Sequence, residues 1–143
     1  MGNEAFRLDG EVALITGAAR GLGRAIAIAM AAAGADVWIN DLAETPEASD
    51  TLAAIRAQGR RSGLVLGNVA DPDDVQGLVS RVEAEAGKID ILVNNAGISG
   101  ESPVTDMLLA DWNRMLAVNL TGVFLCTQAV LPGMLTRQHG AII

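Results

Sequence analysis

Val12-Ala13-Leu14-Ile15-Thr16-Gly17-Ala18-Ala19-Arg20-Gly21-Leu22-Gly23 is the stretch that decides the architecture. Its first four residues form a short apolar run that Thr16-Gly17 ends, the pattern of a fully buried strand. From 21 to 33 the sequence turns Ala-rich, with Leu22, Ile26, Ile28 and Met30 among the alanines and Gly34 after them, which reads as a helix with a glycine stop. The glycines Gly17, Gly21 and Gly23 stand between strand and helix, spaced G-x3-G-x-G. Glycine permits positive φ and lets ligand oxygens come close to the backbone. A helix N-terminus adds free N–H groups and partial positive charge, which suits a diphosphate. A glycine loop alone is equally a tight turn; the strand–loop–helix context favours the anion-binding reading.

Outward from that stretch the same alternation repeats. Residues 36–40, with Val37, Trp38 and Ile39, read as a second strand. Residues 46–58 read as a polar-faced helix with Leu52 and Ile55 inward and Gly59 as its stop. Gly63 and Gly67 bracket a third strand, Leu64-Val65-Leu66. Asp71 is an N-cap with Pro72 in the first turn, and Val75, Leu78, Val79 and Val82 follow at helical spacing to Gly87. Residues 89–93 are a fourth strand, 94–110 a loop with a short helical piece, and Asp111 the cap of a long helix to about 138. Ala141-Ile142-Ile143 begins a fifth strand, within which the sequence stops. Strands alternating with helices predict a parallel sheet covered on both faces. With right-handed crossovers this is a doubly wound α/β sheet, a Rossmann fold. The expectation is one dinucleotide-binding domain over 1–143, incomplete at its C-terminal end, with its last strand an exposed edge.

Composition narrows the function. The 143 residues carry a net charge of −7, half of them are apolar and 19% are charged. That is enough chain for one buried core, and it argues against disorder. The acidic balance argues against nucleic acid and anionic membrane surfaces, which want clustered Lys and Arg. Cys126 stands alone and cannot form an internal disulfide, which fits a reducing, cytoplasmic setting. Residues 1–10 include Glu4 and Asp9 and no apolar core, unlike a secretory signal. Residues 115–136 are uncharged, but Asn119, Thr121, Thr127, Gln128, Gly122, Pro132 and Gly133 interrupt the run, so the reading is no membrane span. The expectation is a helix buried on two sides, by the sheet and by a partner subunit, hence a homo-oligomer.

Several residues carry candidate chemistry. Asp41 follows the second strand and lies 18 residues beyond Gly23, where an acid can bind the adenosine ribose diol and repel a 2′-phosphate; the alternative is a solvated loop acid. It favours NAD over NADP. Arg20 pulls the other way, since a cation there can pair with a 2′-phosphate, but it can swing into water. After the third strand, Asn68 can reach an adenine edge while Val69 packs on the ring; a turn Asn is the equal alternative. Asn94-Asn95-Ala96-Gly97 after the fourth strand allows close backbone approach and lets Asn side chains tie loops together, or it is a stabilising sheet-edge turn. Asn119 is a poor mid-helix residue; as a buried amide it holds water or a bend at a site, or is a satisfied core Asn. His139 reads as a surface helix-end residue, Cys126, Met30, Met107, Met115 and Met134 as core, and no His/Cys/Asp/Glu run has metal-ligand spacing.

These segments together resemble the classical short-chain dehydrogenases/reductases. TGAARGLG at 16–23, VWIND at 37–41, NVAD at 68–71, KIDILVNNAG at 88–97, DW at 111–112 and VNLTGVF at 118–124 carry the resemblance, which runs from Leu8 to Ile143. It implies an NAD(P)-dependent oxidoreductase acting on an alcohol or ketone. It implies that residues 17–23, Ala19 and Leu22 among them, hold the pyrophosphate and Asp41 the ribose, with Asn68 and Val69 beside adenine. Asn94, Ala96 and Gly97 would line the cofactor trough. Asn119 would be the Asn of a catalytic tetrad, its backbone carbonyl holding a water of the proton relay. Asn68 stands where many relatives have Asp. The tetrad's Ser, Tyr and Lys follow the fifth strand in that family. This sequence has no Tyr, and its single Lys, Lys88, precedes the fourth strand. The 143 residues alone are therefore expected to be inactive, retaining mainly the cofactor-binding half; the alternative is a non-catalytic nucleotide-binding or partner-binding module of the same origin.

Overall fold

A strand that is apolar at consecutive positions demands cover on both faces, because successive side chains point to opposite sides, and the first strand shows how this chain supplies it. The computed structural model describes residues 6–143, so the reading of residues 1–10 lies in part, at 1–5, outside the described residues. Strand β1 (Val12–Thr16) is followed by helix α1 (Gly21–Ala33), β2 (Asp36–Asp41), α2 (Pro46–Arg56), β3 (Ser62–Leu66), α3 (Pro72–Ala86) and β4 (Ile91–Val93). A long helix then comprises α4 (Leu109–Leu116), a π-helical turn (Ala117–Thr121) and α5 (Gly122–Arg137), before β5 (Ala141–Ile142). Val12 and Leu14 pack with Trp38, Val65 and Leu92 under α3 and α5. Ala13 and Ile15 pack with Val37, Ile39, Ile91 and Val93 under α1 and α2. Leu14, Ile15, Ile39 and Leu92 are fully buried, each worth roughly 1.5–3 kcal/mol of transfer free energy.

All strand pairs are parallel, in the order β3-β2-β1-β4-β5. The chain winds from β1 outward to β3, then returns to the far side of β1. The crossovers therefore diverge between β1 and β4, and a crevice opens there at the carboxyl ends of the strands. The expected doubly wound sheet is thus the observed one.

Differences are local and have local causes. Helix α2 stops at Arg56 because Gln58 and Gly59 donate to Ile55 and Arg56 carbonyls, a tightened turn that Gly59 leaves at φ +75°. Strand β4 begins at Ile91: one residue earlier the Asp90 side chain accepts the Val12 N–H (3.0 Å). Residues 94–108 form no helix, only a turn in which Asp106 N–H donates to Pro103. Leu108, not Asp111, is the N-cap of α4; Asp111 sits in the first turn and pairs with Arg114 at 3.4 Å. Asp71 does cap α3, accepting from the Asp73 and Asp74 N–H groups.

The long helix is covered on one side only among the described residues. Gly122, Cys126, Val130 and Met134, four apart, are buried towards the sheet and α3. Leu109, Trp112, Leu116, Leu120, Phe124 and Leu135 are exposed on it. Leu109–Arg137 is long and apolar enough to cross a membrane by length and composition; here its buried stripe seats it on the domain. Met134 is core, whereas Met30, Met107 and Met115 are only half-buried, contrary to the expectation for them.

Candidate functional site

The crevice between the β1 and β4 branches has a volume of about 370 Å³, and four strand ends build it. Gly17, Arg20 and Gly21 come from the loop after β1, Asn40, Asp41 and Leu42 from β2, Gly67, Asn68 and Val69 from β3, and Asn95, Ala96, Gly97 and Ile98 from β4; Val118 closes it from the long helix. At its floor Thr16 and Asn95 staple the two branches. Asn95 and Ala96 N–H groups donate to Thr16 Oγ1 (3.1 and 3.0 Å), and Asn95 Nδ2 donates to the carbonyls of Thr16 (2.9 Å) and Gly17 (3.0 Å). Gly17 has φ +63°, and a Cβ on it would lie 2.8 Å from Ala96 Cα. That contact keeps the strand ends close enough to share one wall.

Helix α1 opens into this crevice without a plug. Its N-cap, Arg20, makes no side-chain capping bond, and its first turn holds no acid. The space where a Gly21 Cβ would stand is open, at φ +61°. Unpaired N–H groups at such an end favour an anion. The donor set and the open space fit the diphosphate of a dinucleotide.

Asp41 is held rather than free. Its Oδ2 accepts the Ala19 N–H (3.1 Å) and its Oδ1 the Leu42 N–H (2.9 Å). An ionised carboxylate offers about four acceptor sites, so sites remain for hydroxyls in the crevice. Asn40, buried just before it, donates from Nδ2 to the carbonyls of Val65 (3.2 Å) and Gly67 (3.0 Å), and so fixes the Gly67–Val69 wall to β2.

The expected residues separate into two groups. Gly17, Arg20, Gly21, Asp41, Asn68, Val69, Ala96 and Gly97 line the crevice. Ala19, Leu22, Gly23 and Asn94 do not. Ala19 is buried beneath the loop, and Leu22 points outward, 71% exposed. Gly23 is a packing glycine: a Cβ there would lie 2.5 Å from Asn95 Nδ2 and 2.7 Å from the Gly17 carbonyl. Asn94 turns its Nδ2 towards Thr127 Oγ1 (3.5 Å), behind the crevice; the neighbouring Asn95 is the one that faces it. Asn68 does both things weighed for it: Oδ1 accepts the Ala70 N–H (3.0 Å) as a turn Asn, and the residue still lines the crevice.

Asn119 corrects an expectation about burial. Its side chain is exposed, in the π-helical turn, and it clamps Ile98: Oδ1 accepts the Ile98 N–H (2.8 Å) and Nδ2 donates to the Ile98 carbonyl (2.7 Å). The amide thus reproduces a strand-like pair with the crevice rim. A π turn widens the helix where it stands, and such turns often mark functional sites. Asn95 ties the two loops together, one of the two readings weighed for the Asn94–Gly97 stretch, whereas Thr16 and Asn40 make contacts across the fold that no local spacing encodes.

At the opposite end of the sheet, Glu11, Asp90 and His139 bring ligand-type atoms within 4.8 Å of one another, a grouping that sequence spacing conceals. Lys88 Nζ (2.7 Å) and Arg137 Nε (3.8 Å) already stand beside the Asp90 carboxylate. Two cations at that position oppose a third, and the cluster reads as an ion-pair network closing the sheet. Cys126 lies in the core, where burial pushes its thiol up to about 11, so the thiolate is scarce at neutral pH.

The family described as short chain dehydrogenase matches residues 11–143. A 3-oxoacyl-[acyl-carrier-protein] reductase of Synechocystis sp. is 43% identical over 95% of this chain and 55% of its own length. A D-threitol dehydrogenase of Mycolicibacterium smegmatis is 46% identical over 96% of this chain and 53% of its own. The chain therefore spans about half the length of the curated relatives it matches. Among solved structures, a gluconate 5-dehydrogenase from Burkholderia cenocepacia in complex with NADP and tartrate superposes with a TM-score of 0.88 at 42% identity, covering 97% of this chain and 54% of that one. An NAD+-bound xylitol dehydrogenase gives 0.88 at 34% identity, covering 94% and 52%.

Proposed function

As the chain belongs to the short chain dehydrogenase family, we propose that it forms the dinucleotide-holding part of an NAD(P)-dependent oxidoreductase that interconverts an alcohol and a ketone. The observation that carries this reading is the unplugged N-terminus of α1 opening on the same crevice as the anchored Asp41 carboxylate. Amides of the Gly21 turn would take the diphosphate, and Asp41 the hydroxyls of the adenosine ribose. Asn68 Nδ2 and Val69 would flank the adenine, and Ala96 and Gly97 would leave room along the trough. The cofactor supplies hydride chemistry when bound; the protein binds and orients it. By resemblance Asn119 serves the proton relay; its clamp on Ile98 sets the rim beside which that relay would run. Relatives that bear both NAD and NADP support the cofactor class without separating the two.

We favour NAD, because Asp41 is tied by two backbone N–H groups and cannot retreat from a 2′-phosphate. A like-charge contact at that range is unfavourable. Arg20, exposed, is free to leave. The expected result is that calorimetry on the intact protein detects NAD+ more tightly than NADP+, and that Asp41→Ala narrows the gap by about tenfold or more. Unchanged selectivity would remove Asp41 from the role, and no heat with either dinucleotide would remove the whole reading. The lack of any Tyr in the 143 residues favours a second reading for them by themselves, a binding module without turnover. Hydride transfer catalysed by residues 1–143 alone would overturn it.

A further inference from the structure

Thr51 faces a carbonyl that no sequence spacing links to it. It lies in α2, fully buried, and its Oγ1 donates to the Ala19 carbonyl at 2.8 Å, across 32 residues. A helical Thr ordinarily turns its hydroxyl to a carbonyl of its own preceding turn; this one reaches into the loop after β1. Residue 19 is thereby gripped twice, its N–H by Asp41 Oδ2 (3.1 Å) and its C=O by Thr51. Both peptide planes around Ala19 are fixed. The Ala19–Arg20 peptide is trans, as are all those described, so the Arg20 N–H points opposite to the Ala19 carbonyl. With the carbonyl drawn towards α2, that N–H is turned away from α2. Arg20 lines the crevice, and its N–H donates to no acceptor among the described residues.

We propose that Thr51 is a positioning residue for anion binding: its buried hydroxyl, bonded to the Ala19 carbonyl, aims the Arg20 amide at the phosphates of a bound dinucleotide. The inference rests on the dinucleotide reading above. It differs from a purely structural role, because loss of the hydroxyl weakens phosphate binding selectively and leaves nucleoside binding alone.

The test uses the intact protein, with ADP and adenosine titrated by calorimetry into the wild type, Thr51→Val and Thr51→Ser. Thr51→Val should bind ADP about tenfold more weakly, the scale of one hydrogen bond to a charged group. Adenosine affinity should stay within about twofold, and Thr51→Ser should restore ADP binding. Equal weakening of both ligands, or none, overturns the proposal while the dinucleotide reading stands. A wild type that binds neither ADP nor NAD+ removes both. Should Thr51→Val not fold, the wild type decides by NMR: ADP must shift the Arg20 amide resonance, and an unmoved Arg20 amide overturns the proposal.

Discussion

Asp36 has three cationic or amide donors converging on one carboxylate. It accepts from the Arg61 N–H (3.0 Å) and from Arg61 Nε (2.7 Å) and forms an ion pair with Arg60 Nη2 (3.0 Å), at the start of β2. Burial raises its carboxyl, but the Arg61 side-chain and backbone hydrogen bonds and the charges of Arg60 and Arg61 together outweigh that, so it is held below its ordinary value. A carboxyl depressed by folding adds stability that is fully present above the unfolded value near pH 4 and disappears as the pH drops through the folded one. Asp36→Asn should therefore cost about 1–2 kcal/mol at neutral pH and make the acid limb of the stability profile shallower. Urea denaturation at neutral and acid pH reads both. Little of this was legible in sequence, since the donors come from residues 60 and 61, across a strand pair. Asp41 was legible, because the strand end that precedes it declares itself by Val37-Trp38-Ile39.

The elements follow their sequence most closely where a backbone signal is obligatory. Gly34 and Gly87, at φ +113° and +90°, end α1 and α3 where glycine stops stand in the sequence. Asp71 and Pro72 start α3 for the same reason. The reading failed at 94–111, where tertiary contacts decide: Asn119 clamps Ile98 from 21 residues away, and Asp111 is displaced from the cap by an extended Leu108. Gly23 carries a packing duty that its spacing does not reveal. It permits α1 to lie against Asn95 and the Gly17 carbonyl. Gly23→Ala should cost about 1–3 kcal/mol through overpacking, read as a lowered urea midpoint with unchanged slope. The same change at Gly77, where nothing lies within 4 Å, should be stabilising or neutral.

At the scale of the molecule, the long helix leaves Leu116, Leu120 and Phe124 in solvent while its other face is packed. A second copy meeting that surface about a two-fold axis would cover it on both subunits alike. Light scattering should then give a dimer or a higher even assembly. Leu120→Glu should reduce the assembly to monomers without lowering secondary structure by circular dichroism; a wild type that is already monomeric would count against the dimer. The strand order β3-β2-β1-β4-β5 carries one more consequence. A chain made from its N-terminus has β1, β2 and β3 available to pair before β4, which follows β1 by more than seventy residues. In that interval the most apolar strand of the nascent chain has a vacant hydrogen-bonding side. An unpaired edge of that kind is the part of a half-made sheet most open to pairing with another chain.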